Sequence, residues 1–240
     1  MLAFFHILKF IQGICCSFVK ITHPPESEAV LLERAHQMAG LSLSDIAHSL
    51  NVHVPNNFKR HKGWTGQLIE THLGATAGSK PIQDFAELGI ELKTLPLSYA
   101  LKPLETTYVC YAPLVNISNL QWETSNVKNK LQKVLWIPIE GERDIPPKER
   151  KIGSPILWQP TELQNEILRQ DWEELMELIA LGKIESITAR IGEVLQLRPK
   201  AADGSALTQA IGLDGEMIHT RPRGFYLRKS FTEQILEDAF

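Results

Sequence analysis

The sequence predicts a protein of the α/β class, and three observations support this prediction. The length of 240 residues fits one large domain or two small lobes, since a domain has about 150 residues. The apolar fraction of 43% and the charged fraction of 22% are close to those of an ordinary folded domain, which excludes disorder, collagen and coiled coil as the main state. Segments with helical spacing of apolar residues alternate with segments of strand spacing along the chain.

Several segments combine the helical spacing with residues that are typical of helix ends. In the strongest of them, Thr161 and Gln164 have the spacing of a capping box. We expect the acidic residues of this helix, Asp171 among them, to form a solvated face. Ser44 is the predicted N-cap of an earlier, shorter helix. The predicted helices are residues 26–39, 41–52, 65–73, 125–133 and 161–180, and a final helix from Ser230.

Strand spacing is clearest at residues 88–95, where every second residue is leucine or isoleucine up to Leu92. Residues two apart on a strand point to the same face, so Glu91 and Lys93 should project together, opposite the apolar side chains. Asp84 precedes this strand and can approach from the adjoining turn. Further strands are predicted at residues 106–112, 134–139, 186–197 and 224–228.

The charge and the cysteines limit the class of protein. A net charge of -3 counts against a polycation that coats nucleic acid, but a local basic cleft remains open. The three cysteines have no CxxC or zinc-site spacing, which favours a reducing compartment, and we expect a cytoplasmic protein.

The first 22 residues form an apolar segment that differs from the rest of the chain. His6 and Lys9 interrupt it, and its longest uncharged run is too short to span a bilayer. We expect residues 1–22 to be an extension outside the core. A peripheral helix, or a membrane or export signal, remains the alternative. The predicted functional domain is therefore residues 23–240.

Asp84, Glu91 and Lys93 carry the chemistry that the sequence predicts. Two carboxylates supply the oxygen ligands that Mg²⁺ prefers, and Glu70 could complete an acidic rim. Such an ion lowers the pKa of water and neutralises phosphate charge, while a lysine beside it could orient the water or stabilise developing negative charge. The alternative is a surface strand whose outward residues happen to be charged.

The wider sequence around these residues resembles a known family. The spacing Asp84-x6-Glu91-x-Lys93 is similar to the metal-binding pattern of restriction-endonuclease-like nucleases. The segments that accompany it are KRHKGW (59–64), GATAGSKPIQDF (74–85), LETT (104–107), WETS (122–125), VLWIPIEGER (134–143), LRPKA (197–201) and PRGFY (222–226). Together they closely resemble the MutH family of strand-discriminating DNA mismatch-repair endonucleases, over about residues 24–240.

This resemblance implies a fold, an activity and partners. The fold would be restriction-endonuclease-like, a mixed sheet flanked by helices, in two lobes that clamp duplex DNA. The enzyme would be a monomer without membrane association. It would use Mg²⁺ to nick the unmethylated strand 5′ to the G of hemimethylated GATC, after MutS finds a mismatch and MutL activates it. The basic segment 59–62, with Lys62, is expected to contact phosphates.

The resemblance also implies roles for residues of the active site. Glu70, Asp84 and Glu91 would be catalytic acids that hold the metal. Lys93 would be the catalytic lysine, and Lys130 a further active-site lysine on a helix that exposes it.

Five more positions match residues that contact DNA in the family. Arg198, Pro199 and Lys200 match the base-reading loop, and arginine or lysine can bond O6 and N7 of guanine in the major groove. Tyr226 matches the position that senses adenine methylation. Tyr108 stands where we expect a phenylalanine near the DNA.

Two other functions remain open at this point. One is a restriction endonuclease of the same fold that cuts GATC without MutL. The other is a non-enzymatic helix-turn-helix regulator built on residues 41–52.

Overall fold

The computed structural model describes residues 23–55, 63–78, 80–200 and 205–239, which form two compact units. The first unit contains the described residues up to Leu104 together with Lys133–Trp158, and the second contains Glu105–Gln132 and the described residues from Gln159. The predicted extension, residues 1–22, lies outside the described residues. The assignment of residues 23–240 to one functional domain stays a prediction.

The first unit is built on a three-stranded mixed sheet of β1 (Glu91–Leu97), β3 (Val134–Glu140) and β4 (Ile156–Trp158). The strand order is β1-β3-β4, with β1 and β3 parallel and β3 and β4 antiparallel. Every residue of β3 except its last is buried, as expected for a strand that is covered on both faces.

Three helices of the first unit pack around its core: α1 (Glu28–Met38), α2 (Leu43–Ser49) and α3 (Trp64–Leu73). Their apolar faces join the buried side chains of β1 and β3 in one cluster, and α3 packs against β1. Gly74 ends α3 in the left-handed conformation, with φ of 84°, which a residue without a side chain adopts at little cost. The three predicted helices are confirmed; α1 and α2 are shorter than predicted, and α3 begins one residue earlier.

The predicted N-cap of α2 is wrong. Ser42, rather than Ser44, caps the helix: its hydroxyl accepts the N–H of Asp45, and the Asp45 carboxylate accepts the N–H of Ser42 at 2.8 Å. This reciprocal pair requires an acceptor side chain three residues after the cap. Asp45 fills that place relative to Ser42, whereas Ala47 occupies it relative to Ser44.

The first predicted strand also begins later than its sequence pattern suggests. Residues Ala86–Leu88 form a 3-10 turn, and Gly89 follows with φ of 64°. Phe85 and Ile90 then pair in an antiparallel bridge. The strand proper runs over Glu91–Leu97, so the alternation at residues 88–90 reflects a packed turn rather than extended backbone.

The second unit contains a three-stranded antiparallel sheet of β2 (Thr107–Tyr111), β8 (Arg223–Leu227) and β5 (Leu195–Pro199), in the order β2-β8-β5. A separate hairpin of β6 (Thr208–Ile211) and β7 (Met217–Thr220), which the sequence analysis did not predict, accompanies it. The predicted strand at 186–197 is wrong over its first part, because Ile184–Ser186 is a 3-10 turn and extended pairing starts only at Leu195.

The helices of the second unit are α4 (Asn126–Leu131), α5 (Glu162–Ala180) and α6 (Lys229–Ala239). α4 packs against β2 and α5 against β5. The predicted fold class, mixed α/β with helices flanking the sheet, is confirmed. No helix in the described parts of the chain is long and apolar enough to cross a membrane.

Asp171 on α5 departs from the predicted solvated face. Its side chain is buried, and its carboxylate accepts three backbone N–H groups at 2.7 Å each, from Glu193, Val194 and Leu195. A buried carboxylate is tolerated when its oxygens are hydrogen-bonded in this way. Asp171 therefore anchors the segment that leads into β5. The capping box of Thr161 and Gln164 is confirmed at the start of the helix.

We predict that Asp171→Ala lowers the free energy of unfolding by about 3 kcal/mol, because three backbone N–H groups, two of them buried, lose their acceptor. Urea denaturation measures the change. Glu174→Ala is the matched control, since Glu174 is an exposed acid on the same helix, and we expect it to stay within about 0.5 kcal/mol of the original protein. Equal effects of the two substitutions would contradict the anchoring role.

Candidate active site

Glu91 is the first residue of β1, and the fold buries its carboxylate. Its backbone N–H donates to the carbonyl of Lys133 at 3.0 Å, next to the pairing of Glu91 with Val134. The Glu91 side chain is only 3% exposed, and the ammonium of Lys93 lies 2.6 Å from its Oε1. The prediction that Glu91 and Lys93 project together is confirmed. The ion pair compensates for part of the cost of burying the carboxylate.

Asp84 reaches the same strand from the turn before it. The Phe85–Ile90 bridge folds the chain back, so that Oδ2 of Asp84 accepts the backbone N–H of Leu92 at 2.8 Å. The Asp84 carboxylate, which is also buried, therefore lies beside the peptide that joins Glu91 to Leu92. The structure brings Asp84, Glu91 and Lys93 to one end of β1, as the sequence predicts.

Glu70 is positioned differently. It lies on α3, which packs against β1, and it is half-buried. Within the part of the chain that the structure describes, no three acidic, histidine or cysteine side chains form a group that could hold a metal ion. The structure thus places Asp84 and Glu91 on the same strand end, but it does not gather Glu70 with them into one set of ligands.

The donors at this strand end nevertheless suit a hard divalent cation. Asp84 and Glu91 offer carboxylate oxygens, and Mg²⁺ is commonly held by one or two carboxylates while it keeps several waters. Both side chains are buried, and the Leu92 N–H and the Lys93 ammonium fix their positions. Their chemistry therefore fits the cation that the sequence predicts, and both carboxylates could serve as its ligands.

Lys130 lies on α4, in the second unit. The sequence analysis expects an exposed lysine, but Lys130 is only 8% exposed. The expectation of exposure is wrong because Val127, Lys130 and Leu131 share the inner face of a short helix, as residues three and four apart do. A lysine side chain is seldom buried to this extent unless its ammonium group interacts with another group.

Four of the residues predicted to contact DNA lie together on the outer face of the β2-β8-β5 sheet. Tyr108 on β2 is opposite Tyr226 on β8, and their ring centroids are 5.4 Å apart in an edge-to-face contact. The guanidinium of Arg198 lies 5.6 Å from the Tyr226 ring centroid, and the Lys200 ammonium 4.4 Å from that of Tyr108. Each cation therefore rests over an aromatic ring.

Pro199 is the last residue of β5, which is an edge strand of this sheet. It is exposed and opposite Arg223. Proline lacks a backbone N–H and suits an edge strand, where no neighbour requires the donor. Lys200, the residue after β5, remains paired with the segment that leads into β8, because its N–H donates to the carbonyl of Pro222 at 2.7 Å. The predicted contact residue Lys62 lies outside the described residues.

The environment of Tyr226 favours its neutral form. Burial raises the pKa of its phenol above the ordinary value of 10.0, and this outweighs the opposing effect of the Arg198 charge. The hydroxyl therefore carries its proton at neutral pH, where it can both donate and accept a hydrogen bond.

Comparisons with known proteins point to one family. A family model described as "DNA mismatch repair enzyme MutH" matches residues 73–171. The DNA mismatch repair protein MutH of Shewanella baltica (strain OS155) is 62% identical over 217 residues, which cover 90% of this chain and 97% of the relative. The protein of the same name from Vibrio campbellii is 60% identical over 212 residues, 88% of this chain and 94% of the relative.

The chain belongs to the MutH family. The family has the restriction-endonuclease-like fold, so the fold that the resemblance implies is confirmed. The match of residues 73–171 includes Asp84, Glu91 and Lys93 but ends before β5 and β8. The aligned relatives extend well beyond this range.

The sequence analysis missed Gly224, which shapes the outer face of the second sheet in this MutH-family protein. Gly224 lies between β2 and β5 in the sheet, opposite Tyr111 on one side and Arg198 on the other. A Cβ atom there would lie 2.8 Å from Cε2 of Tyr108, closer than two carbons can approach without displacement. The segment PRGFY contains this glycine, but only the pairing of three strands shows what it accommodates.

We predict that Gly224→Ala displaces the Tyr108 ring and weakens binding of GATC-containing duplex DNA by about tenfold, the scale of one lost base contact. Fluorescence anisotropy with a labelled duplex measures the dissociation constant. The same substitution in a Tyr108→Ala background should add little, because the ring that collides with the new methyl group is gone. A full additional loss in that background would contradict the steric explanation.

Proposed function

We propose that this protein is a DNA mismatch-repair endonuclease that nicks the unmethylated strand 5′ to the G of hemimethylated GATC, with Mg²⁺ as cofactor and MutL as activator. The observation that carries the proposal is 62% identity with a DNA mismatch repair protein over 97% of that relative's length. The arrangement of Asp84, Glu91 and Lys93 at the start of β1 supports a hydrolytic role, since it combines hard oxygen ligands with an adjacent ammonium.

In this proposal Asp84 and Glu91 hold the cation. The bound cation would lower the pKa of a water and neutralise charge on the phosphate under attack. The Leu92 N–H fixes the Asp84 carboxylate at 2.8 Å, so that little reorganisation is needed before the reaction. Glu70 on α3, which packs against β1, is proposed as the third acid of the metal site, as the family resemblance implies.

Lys93 is proposed to act on the attacking water or on the developing negative charge of the phosphate. Its ammonium is held 2.6 Å from Glu91, and it therefore keeps a fixed position beside the cation ligands. A preoriented positive charge stabilises a transition state more effectively than a mobile one. Lys130 is proposed as a second lysine of the active site on the strength of the family resemblance.

The outer face of the β2-β8-β5 sheet is proposed to read the recognition sequence. Arg198 and Lys200 carry the donors that suit O6 and N7 of guanine, and Pro199 stiffens the strand between them. Tyr226 is proposed to register the methyl group on adenine, with Tyr108 packed beside it. Packing against one methyl group provides only about 1–3 kcal/mol of discrimination, so a hydrogen bond of the neutral Tyr226 hydroxyl has to contribute as well.

The partners of the proposed enzyme are duplex DNA, with Lys62 among the phosphate contacts, and MutL, which links it to MutS. We propose that it acts as a monomer in the cytoplasm. The buried Cys110 is a thiol rather than part of a disulfide, which is compatible with a reducing compartment. A net charge of -3 suggests weak binding to bulk DNA, with a steep dependence on salt.

We predict that a duplex with one hemimethylated GATC is nicked on its unmethylated strand when Mg²⁺, MutL and ATP are present, and that chelation of Mg²⁺ stops the reaction. Asp84→Asn should lower the nicking rate more than about a hundredfold, because a metal ligand contributes several kcal/mol. Glu87→Gln is the matched control, since Glu87 is an exposed acid three residues away, and it should keep the original rate. Denaturing gels measure nicking.

Other outcomes of this assay would contradict the proposed function or favour one of the two alternatives. If the original protein and Asp84→Asn leave the hemimethylated duplex equally intact, the proposed function is wrong. Rapid double-strand cleavage of unmethylated GATC without MutL would indicate a stand-alone restriction endonuclease. Sequence-specific binding that survives loss of Glu91 and Lys93, with no metal-dependent cutting, would indicate a helix-turn-helix regulator.

A further inference from the structure

Tyr111, at the end of β2, is a large exposed aromatic residue that the proposed function does not use. Its side chain is 57% exposed, although tyrosine usually buries much of its ring. Its ring lies edge-to-face with that of Tyr108, at a centroid distance of 5.8 Å. Tyr111 is therefore in direct contact with the face proposed to read DNA.

A β-bulge explains how Tyr111 reaches that face. Residues three apart on a regular strand point to opposite sides of the sheet, and by that rule Tyr108 and Tyr111 would be separated. The pairing of β2 with β8 shifts between Tyr108 and Cys110, which inserts one extra residue. Val109 and Cys110 are consequently both buried, and the two tyrosines meet on the outer side. Bulges redirect side chains in this way next to functional sites.

The sheet register places Tyr111 in the same row as Arg198. Both residues are opposite Gly224, Tyr111 from β2 and Arg198 from β5. Their Cα atoms are thus separated by two strand spacings, roughly 10 Å. Gly224 contributes no side chain between the exposed residues Tyr111 and Arg198. The ring of Tyr108 lies beside this glycine.

We propose that Tyr111 is an additional DNA-contacting residue that helps to bind the recognition sequence, across Gly224 from Arg198. An apolar or aromatic surface can read the methyl group of thymine in the major groove, and the flat ring of Tyr111 offers such a surface at low entropic cost. The inference rests on the proposed function, because it assumes that this face meets duplex DNA. It adds a specificity residue to that face, one that the β-bulge supplies.

The test is a binding comparison on the full chain without divalent metal, so that no strand is cut. Dissociation constants are measured for two labelled duplexes, one with a single GATC and one with the same bases scrambled. Tyr111→Val should weaken binding of the GATC duplex by about fivefold to tenfold and leave binding of the scrambled duplex nearly unchanged. Tyr99→Val is the matched control, since Tyr99 is an exposed tyrosine of the other unit, and it should change neither constant.

A second variant locates the contact within the side chain. If Tyr111→Phe binds as the original protein does, the ring makes the contact, and if it binds as Tyr111→Val does, the hydroxyl makes it. Thermal melting verifies that each variant is folded.

The failure of this inference can be told apart from the failure of the proposed function. If the original protein prefers GATC and Tyr111→Val shows the same preference, Tyr111 has no role in recognition. An equal loss on both duplexes would also overturn the inference, because it would show a contact without sequence preference. If the original protein itself has no preference for GATC, the proposed function fails first, and the inference fails with it.

Discussion

The burial of the Glu91 carboxylate is the constraint on which the first unit depends. An unpaired charge in that position would cost several kcal/mol, so the surrounding chain must supply partners. Lys93 supplies the counter-charge from two residues along the same strand. The parallel pairing of β1 with β3 fixes the Glu91 backbone through the carbonyl of Lys133. The sheet register thus fixes the backbone of Glu91 while Lys93 fixes its side chain, which couples the fold to the candidate site.

The second unit obeys a different constraint, which is steric rather than electrostatic. Gly224 leaves room for the Tyr108 ring, and the ring in turn supports Lys200 and contacts Tyr226. A cation that rests on an aromatic face loses less rotational freedom when it binds a ligand, because much of that freedom is already lost. The glycine therefore helps to preorganise the cations that are proposed to read DNA.

The sequence predicts the fold class and the paired projection of Glu91 and Lys93, because both depend on local spacing. It fails where long-range packing decides the outcome. Lys130 looks exposed among neighbouring lysines, but it lies on the inner face of a short helix, which buries it. Asp171 looks like one more acid of a solvated helix, and its role depends on three N–H groups more than twenty residues away. The bulge in β2 depends on pairing with β8, which no spacing within residues 106–112 could reveal.

The two units thus have different proposed roles, and each role uses a different kind of interaction. The first unit concentrates charge in a buried place, where electrostatic interactions are strong and a hydrolytic reaction can use them. The second presents cations on aromatic rings, where the proposed contact energy per base is modest and several contacts must act together. In the proposed enzyme, recognition by several weak contacts would make the complex sensitive to one displaced ring, while the chemistry would depend on a single strand end. A net charge near neutrality suits such a protein, because neither task requires a strong overall field.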